Sequence, residues 1–354
     1  MKNEEKVSFR LRGLYQSYGY QQFRMSKFEE YDLYVRNKSF LLSDNIITFT
    51  DTNGKLMALK PDVTLSIVKN TRDCPGSIRK VYYNENVYRP ARGSRCFREI
   101  MQVGLECIGD VDTYCITEVL SLAAKSLGAI AEDYVLDVSD LDILSCVLDR
   151  IGCTEETLAQ ALSFISERNL HDLRKVLAEA GIAENDAAPL FALLGCGPTA
   201  EDVRKTLSPL YTDDEWQKKV DAFVSVLCVL PAAHVHADFS VIHDANYYNG
   251  IVFGGFVRGI PNSILSGGQY DRLMRRMGRG ESAIGFAVYL DQLELLERNP
   301  GEYDADVLLL YDEKTDIRQV LAAADEIAES GRTVLAERKI PDKMRFREIR
   351  RFEG

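Results

Sequence analysis

The sequence is short of several things, and each shortage narrows what the chain can be. No run of about 18 apolar residues occurs, so no membrane-spanning helix is expected. The opening Met1-Lys2-Asn3-Glu4-Glu5-Lys6 has no apolar stretch of the kind a secretory leader carries. The eight cysteines form no Cys-x-x-Cys pair. A structural zinc site is therefore not expected, and reduced, buried thiols in a cytoplasmic protein are the simplest reading. Histidines number four. His234 and His236 alternate on a strand-like stretch but have no third ligand nearby, so they do not suggest a metal. No phosphate-loop signature, Gly-x-Gly-x-x-Gly after a strand, His-Glu-x-x-His or Gly-x-Ser-x-Gly elbow is found. Neither a metal nor a cofactor is expected. Positive charge is also lacking overall. A net charge of −11 opposes non-specific nucleic-acid binding, which needs clustered cations.

What is present is an ordinary folded composition. The 354 residues are 46% apolar and 27% charged, enough for one large domain and a smaller one. Charge is unevenly spread. Arg79 to Arg98 carries six bases and one acid, Glu85, and Arg332 to Arg351 carries eight bases and three acids. Each is a local excess of +5 that reads as a solvated face or as a place for phosphate.

Apolar spacing at Val7, Leu11 and Leu14 predicts a helix over residues 4–18, stopped by Gly19. Two strand-like runs, Ile46–Thr50 and Lys55–Leu59, flank Asn53-Gly54 and predict a hairpin. Pro61 is expected to open a helix. Residues 78–89 and 97–107 read as two strands around a basic loop. A helix is expected over 112–130, introduced by Asp110 and Asp112 and closed near Gly128. Residues 141 to about 230 read as mostly helical. Strand character returns at 234–243, 247–257 and 263–265, and 285–296 reads as a buried helix. Beyond Pro300-Gly301 a strand (307–311), a helix (316–330) and a strand (333–336) are expected. The fold class is α+β.

Several ordered segments then carry a resemblance. Tyr82-Tyr83-Asn84-Glu85-Asn86-Val87-Tyr88-Arg89, followed by the basic loop and Phe97-Arg98-Glu99-Ile100-Met101-Gln102-Val103-Gly104-Leu105-Glu106-Cys107-Ile108-Gly109, resembles motif 2 of the class II aminoacyl-tRNA synthetases. The ending Gln-x-Gly-x-Glu-x-x-Gly is similar to histidyl-tRNA synthetases. So are Leu59-Lys60-Pro61-Asp62-Val63-Thr64, Asn246-Tyr247-Tyr248 and Gly267-Gly268-Gln269-Tyr270-Asp271. Gly285 to Leu293 stands where motif 3 belongs. The resemblance implies an antiparallel sheet with flanking helices over residues 1–300, a helical insertion at about 154–230, and a short C-terminal α/β segment at 301–354. That segment would be truncated relative to an anticodon-binding domain.

By the same resemblance, a histidine site would use Asp62 and Thr64 at the α-amino group, with Gln102 and Glu106 beside it. Tyr248 and Tyr270 would bracket the imidazole, with Tyr247 and Arg89 adjoining. The departures lie on the ATP side. Arg89 matches the motif 2 arginine, but Ala91 stands where the family has an adenine-holding glutamate. Gln292 replaces the motif 3 arginine, His243 replaces the arginine before the tyrosine pair, and Ser26 replaces the motif 1 proline. An amide cannot replace a guanidinium on phosphate, and each lost charge-stabilising donor costs about 100- to 1000-fold in rate. A synthetase core that keeps the amino-acid side and loses the triphosphate side resembles the regulatory subunits of ATP phosphoribosyltransferase. This implies a non-catalytic, cytoplasmic protein that partners a short-form catalytic subunit, takes histidine as effector and self-associates as a dimer. The alternatives are a histidyl-tRNA synthetase and an RNA-binding synthetase paralogue.

Overall fold

A computed structural model describes residues 3–38, 45–72, 76–90, 96–243, 247–296 and 303–352. The basic loop 91–95, with Ala91, and Asn246 lie outside the described residues. The chain divides into two compact units, Met1–Leu293 and Glu294–Gly354.

The first unit is built on an eight-stranded sheet ordered β1-β5-β6-β11-β10-β9-β7-β8. Its centre is the long hairpin of β5 (Ile78–Pro90) and β6 (Phe97–Gly109), in unbroken antiparallel register from Ile78 opposite Gly109 to Pro90 opposite Phe97. The short β1 (Gln21–Gln22) runs parallel to β5 at the edge. On the other side β11 (Ser282–Tyr289), β10 (Leu265–Gln269), β9 (Asn249–Val257) and β7 (Tyr134–Asp140) follow antiparallel, and β8 (Val235–Ala237) closes parallel to β7.

Three sequence expectations are corrected here. Residues 285–296 are not a helix: the apolar run belongs to β11, and only Leu290–Leu295 coils, as a 3-10 turn. A continuous apolar run carries no period, so its neighbours decide, and here β6 and β10 both donate a ladder. The strand expected over 234–243 shrinks to Val235–Ala237, and the one expected at 263–265 lies at Leu265–Gln269. β7 is an addition.

One face of this sheet is covered by α1 (Asn3–Ser17) and α4 (Thr113–Ile130). Val7, Leu11 and Tyr15 are buried, and the Tyr15 hydroxyl lies 2.9 Å from Ser126 Oγ. Asp112 caps α4 by accepting from Cys115 N at 2.9 Å, and the helix runs two residues past Gly128. Beside the sheet sit α2 (Tyr31–Arg36) and a three-stranded sheet ordered β2 (Phe28–Glu30), β4 (Leu56–Leu59), β3 (Thr48–Thr50). Gly54, at φ +82°, makes the β3–β4 turn. α3 (Thr64–Asn70) starts three residues after Pro61 rather than at it.

Between β7 and β8 the chain is helical: α5 (Leu141–Arg150), α6 (Glu155–Ser166), α7 (Leu170–Glu179), α8 (Glu184–Leu194), α9 (Ala200–Leu207) and α10 (Asp214–Cys228). Side-chain caps at Asp140, Thr154, Asn169, Thr199 and Asp213 start five of them, and Trp216 is buried with its indole N–H on Leu207 O at 2.8 Å. α11 (Asp271–Arg276) links β10 to β11. The second unit pairs β13 (Val334–Glu337), β12 (Ala305–Leu310) and β14 (Phe346–Arg351) in parallel, with α12 (Ile317–Glu329) packed on Val307 and Leu309 through Val320 and Ile327. Part of the basic tail is thus strand β14.

Arg279 joins the end of α3 to the start of β11. Its guanidinium is buried and donates to Val68 O (3.0 Å), Thr71 O (3.2 Å), Thr71 Oγ1 (2.7 Å) and Glu281 Oε2 (3.0 Å). These are the carbonyls a helix end leaves unsatisfied. Arg279→Met is expected to lower the unfolding free energy in urea by about 3 kcal/mol, because it takes a buried guanidinium away from Glu281 and from the carbonyls. A loss below about 1 kcal/mol would show that the pair behaves as a surface ion pair.

Candidate functional site

The site begins at the loop before α3. Asp62 Oδ1 accepts from Leu65 N at 2.8 Å, which fixes the first turn of that helix. Arg89, on β5, donates its Nε to Pro61 O at 2.6 Å and holds a terminal nitrogen 3.8 Å from Asp62 Oδ2. Lys60 is fully buried, with its ammonium on Glu85 Oε2 at 2.6 Å; burial pushes its pKa down against the pull of that carboxylate. Both cations therefore brace the protein's own loop.

Strand alternation supplies the floor. Gln102, Gly104 and Glu106 share one face of β6. Opposite them stand Tyr289, Ala287 and Gly285 on β11, and Glu85, Tyr83 and Val81 on β5. Ser266 and Gly268 of β10 continue the same face. Its glycines are steric necessities. A Cβ at Gly285 would overlap the Glu106 carboxylate, one at Gly104 would overlap the Tyr83 ring, and one at Gly268 would meet Tyr248 Cδ1 at 2.8 Å. Each lets a large side chain lie flat on the sheet.

Glu106 is 2% exposed. Thr64 Oγ1 donates to its Oε1 at 2.8 Å, and the Tyr270 hydroxyl donates to its Oε2 at 2.7 Å. Burial pushes its pKa up to about 8, the two hydroxyls pull against that, and the charge of Asp62 adds to the rise. Asp62 is raised as well, by burial, with Arg89 opposing. Two buried carboxyl groups thus lie in one site, Asp62 with Arg89 beside it and Glu106 with no cation hydrogen-bonded to it among the described residues, a setting that favours a cationic ligand. The ring of Tyr247 lies 4.6 Å from that of Tyr248 and 6.1 Å from that of Tyr270. Burial pushes all three phenols well above their ordinary range, so they act as neutral hydroxyls.

The structure therefore gathers Asp62, Thr64, Arg89, Glu106, Tyr247, Tyr248 and Tyr270. Gln102 shares their face, four residues or about 13 Å along the strand from Glu106. Its amide nitrogen is buried without a hydrogen-bond partner among the described residues. Gln292 donates its amide to Ser263 O at 3.1 Å. His243 adopts a positive φ of 51°, and its Nε2 lies 2.8 Å from Phe253 O, so that nitrogen carries the proton. Ser26 Oγ accepts from Phe28 N at 3.3 Å. His234 stacks on Tyr134 at 4.2 Å and His236 Nδ1 lies 4.0 Å from Asp137, so the two histidines are separately engaged. Sequence reasoning assigned no role to Tyr83, Tyr289, Gly104 or Gly285. The signal that could have found them is Gly-x-Glu on an alternating strand.

The Glu106 carboxyl titrates near 8 in the folded protein against about 4.5 in the open chain. Between those values the folded state keeps a proton that the unfolded chain has lost, so stability falls as pH rises through the window. Glu106→Gln is expected to flatten the pH dependence of urea unfolding across that window. Parallel curves for the two proteins would contradict this assignment.

Comparison with known proteins now adds the lineage. A curated relative from Thermoanaerobacter sp. strain X514, an ATP phosphoribosyltransferase regulatory subunit, is 28% identical over 305 residues, covering 82% of this chain and 78% of its own. A solved ATP phosphoribosyltransferase regulatory subunit/histidyl-tRNA synthetase from Bacillus halodurans superposes with TM-score 0.78 at 20% identity, covering 99% of this chain and 94% of that one. A chain of the ATP phosphoribosyl transferase complex from Thermotoga maritima superposes with TM-score 0.63 at 18% identity, covering 82% and 97%. These likenesses share the class II synthetase fold. The family model described as histidyl-tRNA synthetase matches residues 1–293, and the chain belongs to that family.

Proposed function

We propose that this chain is the non-catalytic regulatory subunit of ATP phosphoribosyltransferase. In this reading it works in the cytoplasm, in a hetero-oligomer with a short-form catalytic subunit, and carries the histidine feedback on that enzyme. It self-associates as a dimer and has no nucleic-acid partner. The observation that carries the reading is a division within one site. The groups suited to an amino acid converge on buried Glu106, whereas Arg89 and Gln292 are engaged by the protein itself. The name borne by the curated relatives supports the same reading. No helix among the described residues is long and apolar enough to cross a membrane.

Histidine fits the chemistry on offer. Its α-ammonium would lie by Asp62, Thr64 and Glu106, and this is where a cation offsets two buried carboxyl groups. Its imidazole would lie between Tyr248 and Tyr270, with Tyr247 behind and the Gln102 amide facing the ligand. Feedback then requires that histidine bind one arrangement of the complex more tightly than another, because only that difference can shift the equilibrium.

The test is the rate of phosphoribosyl-ATP formation by the short catalytic subunit, with and without this chain, then with histidine. Strong activation that histidine reverses is expected. Glu106→Gln should keep the activation and raise the histidine needed for half-inhibition at least about tenfold, since it removes the charged partner of the ammonium. No effect on that enzyme, with histidine-dependent pyrophosphate exchange by this chain alone, would establish a synthetase instead.

A further inference from the structure

We infer that Arg89 is a positioning residue for the proposed histidine site: it sets Asp62 to meet the ligand's ammonium and does not touch the ligand itself. This deepens the reading above and rests on it. Asp62 lies in the short link between β4 and α3. β5 holds that link at three successive residues. Lys60 O accepts from Tyr88 N at 3.0 Å, and Lys60 Nζ donates to Glu85 Oε2 at 2.6 Å. Pro61 O accepts from Arg89 Nε at 2.6 Å, and a terminal nitrogen of Arg89 stands 3.8 Å from Asp62 Oδ2.

The guanidinium has two tasks in this geometry. Its Nε bond fixes the carbonyl just before Asp62, while Asp62 Oδ1 accepts from Leu65 N at 2.8 Å on the other side. The carboxylate is thus set from both directions. The charge of Arg89 faces the second carboxylate oxygen at a distance too long for a hydrogen bond. It opposes the burial that favours the neutral acid. The two side chains are 14% and 15% exposed, so salt screens the pair little. An ammonium needs Asp62 as an anion and in place, and Arg89 supplies both conditions. A lysine restores the charge but not the planar fork that serves a carbonyl and a carboxylate together.

The test is calorimetry of the full chain with two probes: histidine, and histidinol, the amino alcohol that keeps the ammonium and lacks the carboxylate. Arg89→Gln is expected to weaken both probes alike, by at least about tenfold. Added to Asp62→Asn, whose amide oxygen can still accept from Leu65 N, Arg89→Gln should cost nothing further. Arg89→Lys should recover part of the loss. A loss confined to histidine would put Arg89 on the ligand's carboxylate and overturn the inference. So would wild-type affinity in Arg89→Gln, an undiminished Arg89→Gln effect in the Asp62→Asn protein, or an Arg89→Lys that binds no better than Arg89→Gln. If histidine fails to bind the wild-type protein, the regulatory reading falls, and amide exchange then decides the role of Arg89. The Leu65 amide should exchange faster in Arg89→Gln than in the wild type, and equal rates would overturn the inference.

Discussion

A carboxyl group buried against a sheet, with two hydroxyls and, among the described residues, no cation hydrogen-bonded to it, is the constraint around which this site is arranged. Glu106 reaches its position because position 285 on the next strand is glycine, over which the carboxylate lies. Thr64 at the start of α3 and Tyr270 at the end of β10 then satisfy its oxygens. Those two contacts tie a helix, a strand and a loop from distant parts of the chain to one point. They do not supply charge, and burial keeps the group protonated to about pH 8. An ammonium would change that balance, which is why the site is suited to an amine.

The same economy of charge explains the other half of the site. Arg89, Lys60 and Arg279 are cations close to the sheet, and each is committed to a carbonyl or carboxylate of the protein. Gln292 holds the turn at Ser263. Tyrosines stand over a floor of small residues. In the proposed reading, a fold shared with histidyl-tRNA synthetases serves recognition instead of amino-acid activation. Recognition coupled to a partner needs only a difference in affinity between two states.

Much of this was legible in sequence because spacing on a strand is itself geometry. Gln102, Gly104 and Glu106 at every second residue had to share a face, and the hairpin of β5 and β6 followed from two strand-like runs around a basic loop. Asp112 marked its helix by capping chemistry. The misreadings have physical causes. Residues 285–296 carry no period, so only the flanking β6 and β10 could decide between helix and strand. Val235–Ala237 kept its partner β7 while the stretch after it found none in the sheet. β14 was hidden by its charge: Arg347, Arg350 and Arg351 suggested a solvated tail, yet the strand pairs with β12 along Phe346 to Arg351. Tyr289 fell within the stretch expected to be helical, so neither its place on β11 nor its hydrogen bond to Ser266 was announced by the spacing.

The central claim is that a histidine ammonium meets Glu106 and ionises it. Calorimetry of histidine binding at about pH 7, in buffers of different ionisation enthalpy, counts the protons exchanged. Subtracting the count for Glu106→Gln removes histidine's own titration. The account expects the wild-type protein to release up to about one proton more than the variant, because the empty site holds a proton that the bound cation displaces. Equal counts in the two proteins, with histidine bound to both, would place the ligand away from Glu106 and contradict the account.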